Sequence, residues 1–325
     1  MVDVGDALFA NPAGATHGDG ELNKAATIMQ AHGLIGMDAM GVGEAELAVG
    51  PERLTALARQ AGLTLLCANL TDRRGRRPFA ERKLVDAGGT RVGLFAVLEL
   101  PATPPEVSAP LQAAGLRTTD AVAAARAQVK ALRGAGAEIV LMLAHTGMPR
   151  AKEIATQVPG IHVALVGHSS FRTSTPERAG QTYLVEPGRR GQELGHVELR
   201  LGADWSPAAE LADDSQRHAL FDEASAEAER VRKALAANPS PELVRGRILP
   251  QAERVRQLAD RLASTKPPAA PHSIVARLIE LNEGWANQPA VHGLIQSQRA
   301  SWSGGPAGGP QLRVVPPAKI RLPAR

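Results

Sequence analysis

Two histidines stand out by their setting. Ala-His145-Thr-Gly and Gly-His168-Ser-Ser each follow a run of buried-strand residues, 138–143 and 162–166, and each sits on a turn of small residues. Between them, residues 149–158 read as one helix closed by Pro159-Gly160. In such a strand–helix–strand unit both imidazoles emerge at the carboxyl ends of parallel strands, the edge where open α/β sheets gather their ligands. The spacing therefore points to one shared site, against the plainer reading of two unrelated loop histidines. The lone Cys67 lies inside the apolar run 63–70 and reads as a small core residue rather than a nucleophile.

The elements that would carry such a site run in regular alternation. Residues 1–4 form a short strand that leaves through Gly5-Asp6. A helix over 21–32 ends at Gly33, and a buried strand over 37–42 exits at Gly43-Glu44-Ala45-Glu46. A helix over 51–61, with Pro51 in its first turn and Gly62 at its end, leads into a strand over 63–68. Residues 79–85 and 90–98 pair as a hairpin across Gly88-Gly89, a dipeptide that supplies positive φ. After the Pro-rich stretch 101–110 comes a helix over 119–133, with Thr118 or Thr119 as its N-cap. Two further strands, 182–187 and 195–201, complete a layered α/β domain over 1–202. Beyond it, 203–265 reads as a helical hairpin or coiled-coil arm, suited to a dimer contact or to joining a neighbouring module. The remainder, 266–325, reads as a linker, a short helix over 273–286 and a disordered Gly/Pro-rich tail from 301.

Composition excludes several classes. With 3% aromatic residues and no Lys/Arg block interleaved with aromatics, the net charge of +4 is a solvated basic surface and not a nucleic-acid interface. One cysteine rules out an intrachain disulfide or a thiolate metal cluster. No apolar run is long enough to span a bilayer, and no signal peptide opens the chain. Starting at the end of a strand is abrupt for a globular domain, so we expect residues upstream of Met1.

Gly5-Asp6, Gly43 to Gly50, Ala68-Asn69-Leu70, the hairpin ending Gly89-Thr-Arg-Val-Gly-Leu, His145, and Gly167-His168, in this order and spacing, resemble the 5′-nucleotidase branch of the calcineurin-like metallophosphoesterases. The connecting phrases VPGIHVALVGHSS and TSTPERAGQTYLVEPGRRGQELGHVEL agree with it too. The resemblance implies a four-layer α/β/β/α sandwich over about 1–202. It also implies a phosphate-ester substrate, and a pair of divalent cations that clamp the attacking and leaving oxygens. By the match, Asp6 takes the bridging position, His145 and His168 match ligands of one metal, and Glu44 stands where the family has an asparagine ligand. Such domains are commonly exported, which implies a periplasmic or other extracytoplasmic setting.

The departures matter as much. The family's Asp-x-His ligand pair would lie before Met1, and the last ligand of that same metal is Ser170 here. The family's acidic histidine and the aspartate that orients it fall on Ala45 and Ala48, neither of which can donate a proton. Loss of a positioned acid alone costs about 10²–10⁴ in rate. What remains, Asp6, Glu44, His145 and His168, suits one divalent ion such as Zn²⁺ or Mn²⁺. Two expectations follow: an impaired metal-dependent phosphoesterase needing Glu44 or Glu46 as a substitute acid, or a non-catalytic binding or scaffold domain keeping at most one metal. His17 and Asp19 read as an exposed polar loop rather than as groups approaching the site from the side, and Arg172, Arg189 and Arg190 as surface residues rather than as partners of phosphate oxygens. Gly188-Arg-Arg-Gly191 is a turn and lacks the phosphate-loop pattern. Trp205, Trp285 and Trp302 carry no motif.

Overall fold

A computed structural model describes residues 1–9, 18–47, 49–99, 115–169, 171–189, 191–267, 271–281 and 287–303. Two compact units divide the chain, one of them built from 1–173, 177–194 and 280 onward, the other from 174–176 and 195–279.

The first unit holds two sheets. Strands β1 (Val2–Asp3), β2 (Ala39–Gly41) and β3 (Thr64–Leu66) pair in parallel, in that order. They are linked by helices α1 (Asp19–Leu34) and α3 (Pro51–Ala61), with a single-turn helix α2 (Glu44–Leu47) between β2 and α3. The second sheet has six strands. Its parallel centre is β6 (Thr90–Leu98), β8 (Ile139–His145), β9 (Val163–Gly167) and β11 (Thr182–Val185). Its antiparallel edges are β5 (Arg82–Ala87) and β10 (Glu177–Ala179). A small antiparallel pair, β4 (Leu70–Thr71) with β7 (Arg117–Thr118), lies beside them.

Burial explains why the strands read as they do. β8 is Ile-Val-Leu-Met-Leu-Ala-His, apolar without alternation, because both of its faces are covered. On one face, helices α4 (Ala121–Gly134) and α5 (Met148–Gln157) place Ala125, Val129, Leu132 and Ile154 against Phe95, Met142, Ala164 and Val166. On the other face β6 and β8 pack against β2. The small sheet in turn buries Met40 and Leu65 with Ala25 and Met29 of α1 and Leu54 and Ala58 of α3. Helix, sheet, sheet and helix therefore stack as four layers, the sandwich the family resemblance implies. Gly88 and Gly89 both adopt positive φ, at 67° and 91°, and close the β5–β6 hairpin as expected. Helix α4 is capped one residue later than expected, by Asp120, whose carboxylate accepts from the amide of Ala123 at 2.6 Å.

The second unit has its own three-stranded sheet, ordered β12 (Glu193–Arg200), β14 (Ser273–Glu280), β13 (Ala212–Asp213). Two long helices, α6 (Ser215–Ala236) and α7 (Leu249–Ser264), pack on each other as the expected hairpin. Two element readings are corrected here. The strand expected over 195–201 belongs to this sheet and not to the sandwich. The expected helix over 273–286 is a strand as far as Glu280, and 282–286 lie outside the described residues. Its Ile274, Val275 and Ala276 are buried consecutively, and Ser273 and Ile274 pair in parallel with Ala212 and Asp213 of β13. A short apolar run does not distinguish helix from buried strand until its partner is known.

Candidate metal centre

β8 and β9 deliver His145 and His168 to one edge, as their sequence spacing implies. His145 ends β8 opposite Gly167, and the loops are tied where the amide of Gly147 donates to the carbonyl of Gly167 at 3.0 Å. A side chain at 167 would press on Val4, since a Cβ there would lie 3.1 Å from its Cγ1. The glycine before His168 thus lets the first strand of the other sheet approach.

That approach completes the cluster. Asp6 follows β1, Glu44 follows β2, and the four side chains meet with one ligand atom each, all within 4.8 Å of one another. His145 Nε2 lies 2.8 Å from Glu44 Oε2, 3.3 Å from Asp6 Oδ2 and 3.2 Å from His168 Nδ1. His168 Nδ1 is in turn 3.0 Å from Glu44 Oε1. The other nitrogen of His145, Nδ1, donates to the carbonyl of Val4 at 3.1 Å, which fixes the ring and turns Nε2 into the cluster.

The backbone at this edge is strained. Asp6 (φ 58°) and His168 (φ 70°) adopt the left-handed region, and among the described residues only Asn238 shares it without being glycine. Such positions cost on the order of 1 kcal/mol or more and persist where the surroundings over-determine them. Neighbouring Gly5, at φ 110°, could carry no side chain, because a Cβ would lie 2.6 Å from the amide nitrogen of Gly43.

Electrostatics follow from burial and pairing. Burial alone would favour a neutral His145. The carboxylates of Asp6 and Glu44 outweigh it and push the imidazole up to about 10. Burial likewise opposes ionisation of Glu44, but its hydrogen bonds to His145 and His168 hold the carboxyl well below the usual range. Two carboxylates and two imidazoles converging with one atom each are a donor set that suits a divalent ion such as Zn²⁺ or Mn²⁺.

Of the residues singled out in the sequence, Asp6, Glu44, His145 and His168 are brought together. Ala45 lies beside them, contributing only its amide, which donates to Asp6 Oδ1 at 2.9 Å. Ala48, Ser170, His17, Arg190 and Trp285 lie outside the described residues. Asp19 opens α1, and Arg172 is committed to Glu193 at 2.6 Å. Trp205 packs edge-on against His272 in the second unit, and Trp302 reaches Thr27 of α1 with its indole N–H at 3.4 Å. Glu46, named above as a substitute acid, is fully buried, and both of its oxygens accept backbone amides. Burial and the nearby Asp6 push its carboxyl up to about 7.

Sequence reasoning missed Glu186 and Ser169. The Ser169 hydroxyl donates to Glu186, which is buried behind His168 and raised mainly by that burial. Its only signal was a carboxylate closing an apolar strand. Cys67 is fully buried as expected, and burial pushes its thiol up to about 12.

Layers and strand order are those of the calcineurin-like metallophosphoesterase fold. Solved structures bear this out, the calcineurin-like phosphoesterase YfkN of Bacillus subtilis among them. It matches over 93% of this chain and 83% of its own, with a TM-score of 0.59 at 16% identity. The sulfate thiohydrolase SoxB of Thermus thermophilus matches over 61% of this chain and 35% of its own, with a TM-score of 0.51 at 24% identity. A 5′-nucleotidase precursor from the same organism matches over 65% and 43%, with a TM-score of 0.50 at 20% identity. The chain thus spans less than half the length of these last two proteins. No family model and no curated protein matches the sequence. At these identities the likeness establishes the fold.

Proposed function

We propose that this chain is a metallophosphoesterase-like domain that holds one divalent cation and binds phosphate esters, with hydrolysis impaired. The observation that carries this reading is the cluster of Asp6, Glu44, His145 and His168, whose four ligand atoms span a space fit for one ion. Held there, a divalent cation would supply Lewis-acid polarisation of a phosphoryl oxygen.

The residues themselves do the rest. Asp6 and Glu44 offset a double positive charge, so a loaded site presents no net negative charge to an anionic ester. Val4 holds His145 in one tautomer through its carbonyl. Ala45, at the position of the family's acidic histidine, has no proton to give, and Glu46 is buried with both oxygens accepting backbone amides. The lack of a free, positioned acid at these two places supports impaired hydrolysis. The family resemblance also supports an extracytoplasmic setting, which fractionation of the source cells tests.

Calorimetric titration with Mn²⁺ is expected to give one equivalent per chain. Hydrolysis of an aryl phosphate with added Mn²⁺ should be slow, and His145→Ala should abolish both binding and turnover. Two equivalents, or rapid turnover, would overturn the reading. One bound ion with no turnover at all would favour the second reading, a non-catalytic binding domain, which the alanine at 45 also supports.

A further inference from the structure

The two loops that bring carboxylates to the cluster come from different strands, and Glu46 ties one to the other. Its Oε2 accepts from the amides of Asp6 at 2.8 Å and Gly43 at 3.0 Å, and its Oε1 accepts from the amide of Leu8 at 3.1 Å. Asp6 returns the clamp, accepting from the amide of Ala45 at 2.9 Å with Oδ1 and facing His145 with Oδ2. Each loop thus caps the other. The fit is close: a Cβ at Gly43 would sit 2.2 Å from Asp6 Oδ1 and 2.8 Å from the Asp6 nitrogen.

We propose that Glu46 is a positioning residue for the cation site: by accepting the amides of Asp6, Leu8 and Gly43 it sets the left-handed turn at Asp6, and so directs Asp6 Oδ2 and Glu44 to the same point. The inference rests on the one-cation reading for its consequence, while the clamp itself belongs to the cation-free chain. A buried carboxylate with one oxygen shared by two amides of different loops is a rigid fastener, because leaving those amides unpaired in a dry interior is costly. Groups that hold ligands in place typically alter affinity by about 10–100-fold when removed.

The test uses the full chain with Glu46→Ala and Glu46→Gln, read in two ways. In the cation-free protein, amide hydrogen exchange should show Asp6, Leu8 and Gly43 protected. Glu46→Gln keeps one carbonyl oxygen for Asp6 and Gly43 and turns its NH₂ toward Leu8, so Leu8 alone should exchange faster. Glu46→Ala should release all three. In Mn²⁺ titration of the folded protein, affinity should fall about 10–100-fold in Glu46→Ala and by clearly less in Glu46→Gln. Should the alanine variant not fold, the glutamine exchange pattern decides. Unprotected Asp6 and Gly43 amides in the parent, wild-type affinity in the folded alanine variant, or a glutamine variant as weak as alanine would each overturn the proposal, the last by showing that charge and not position matters. If the parent binds no Mn²⁺, the one-cation reading fails, and the exchange arm still judges the clamp.

Discussion

His145 makes cation binding a proton exchange, and the size of the effect can be worked from its surroundings. In the cation-free chain Nδ1 donates to the Val4 carbonyl while Nε2 faces Glu44 and Asp6, so both ring nitrogens have acceptors and the ring is held as imidazolium up to about pH 10. A cation needs the Nε2 lone pair, so that proton must leave. At pH 7 the cost is three pH units at 1.36 kcal/mol each, about 4 kcal/mol, or about a thousandfold in apparent affinity. Glu44 adds no such cost, because its carboxyl is already ionised at that pH.

The apparent Mn²⁺ affinity should therefore rise about tenfold per unit between pH 7 and 9 and level off above about 10. Close to one proton should be released per ion, measured by calorimetry in two buffers of unlike ionisation enthalpy. Stability runs the opposite way in the cation-free protein. His145 is raised above its ordinary value of 6.5, so its stabilising contribution is full below that pH and is lost as pH rises through about 10. Urea midpoints should thus fall over this interval without the cation and hold or rise with it. A flat affinity profile with no proton release would refute the reasoning, since it would mean that His145 is already neutral and the carboxylates do not face it as described.

Two other outcomes follow from the same structure. Asn69, fully buried, donates to the carbonyls of Leu98 at 2.7 Å and Thr119 at 3.1 Å and accepts from the amide of Leu98 at 2.9 Å. Asn69→Ala orphans all three groups and should cost about 3–5 kcal/mol in urea unfolding; a loss under about 1 kcal/mol would mean that water takes its place. Cys67 should not react with a thiol reagent at pH 8 in the native state and should react fully in denaturant, and rapid native labelling would show that the strand end opens.

Much of this molecule was legible because it is local. The apolar runs of β8 and β9, the Gly-Gly hairpin and the proline and glycine helix boundaries are decided by a few neighbouring residues, so the alternation of strands and helices could be read in order. The position of His145 and His168 at strand ends follows from the same periodicity, and those two residues lie 23 apart. What the sequence left open was non-local. Asp6 and Glu44 meet the histidines only because a second sheet packs against the first, across 101 residues for Glu44 and His145 and 141 for Val4 and His145. No local preference encodes that distance. The strand at Ser273–Glu280 needed its partner β13 before its apolar run could be told from a helix. Glu46 needed the fold most of all: in the sequence it is one acid beside another, and only the three amides the fold gathers around it show it as a fastener.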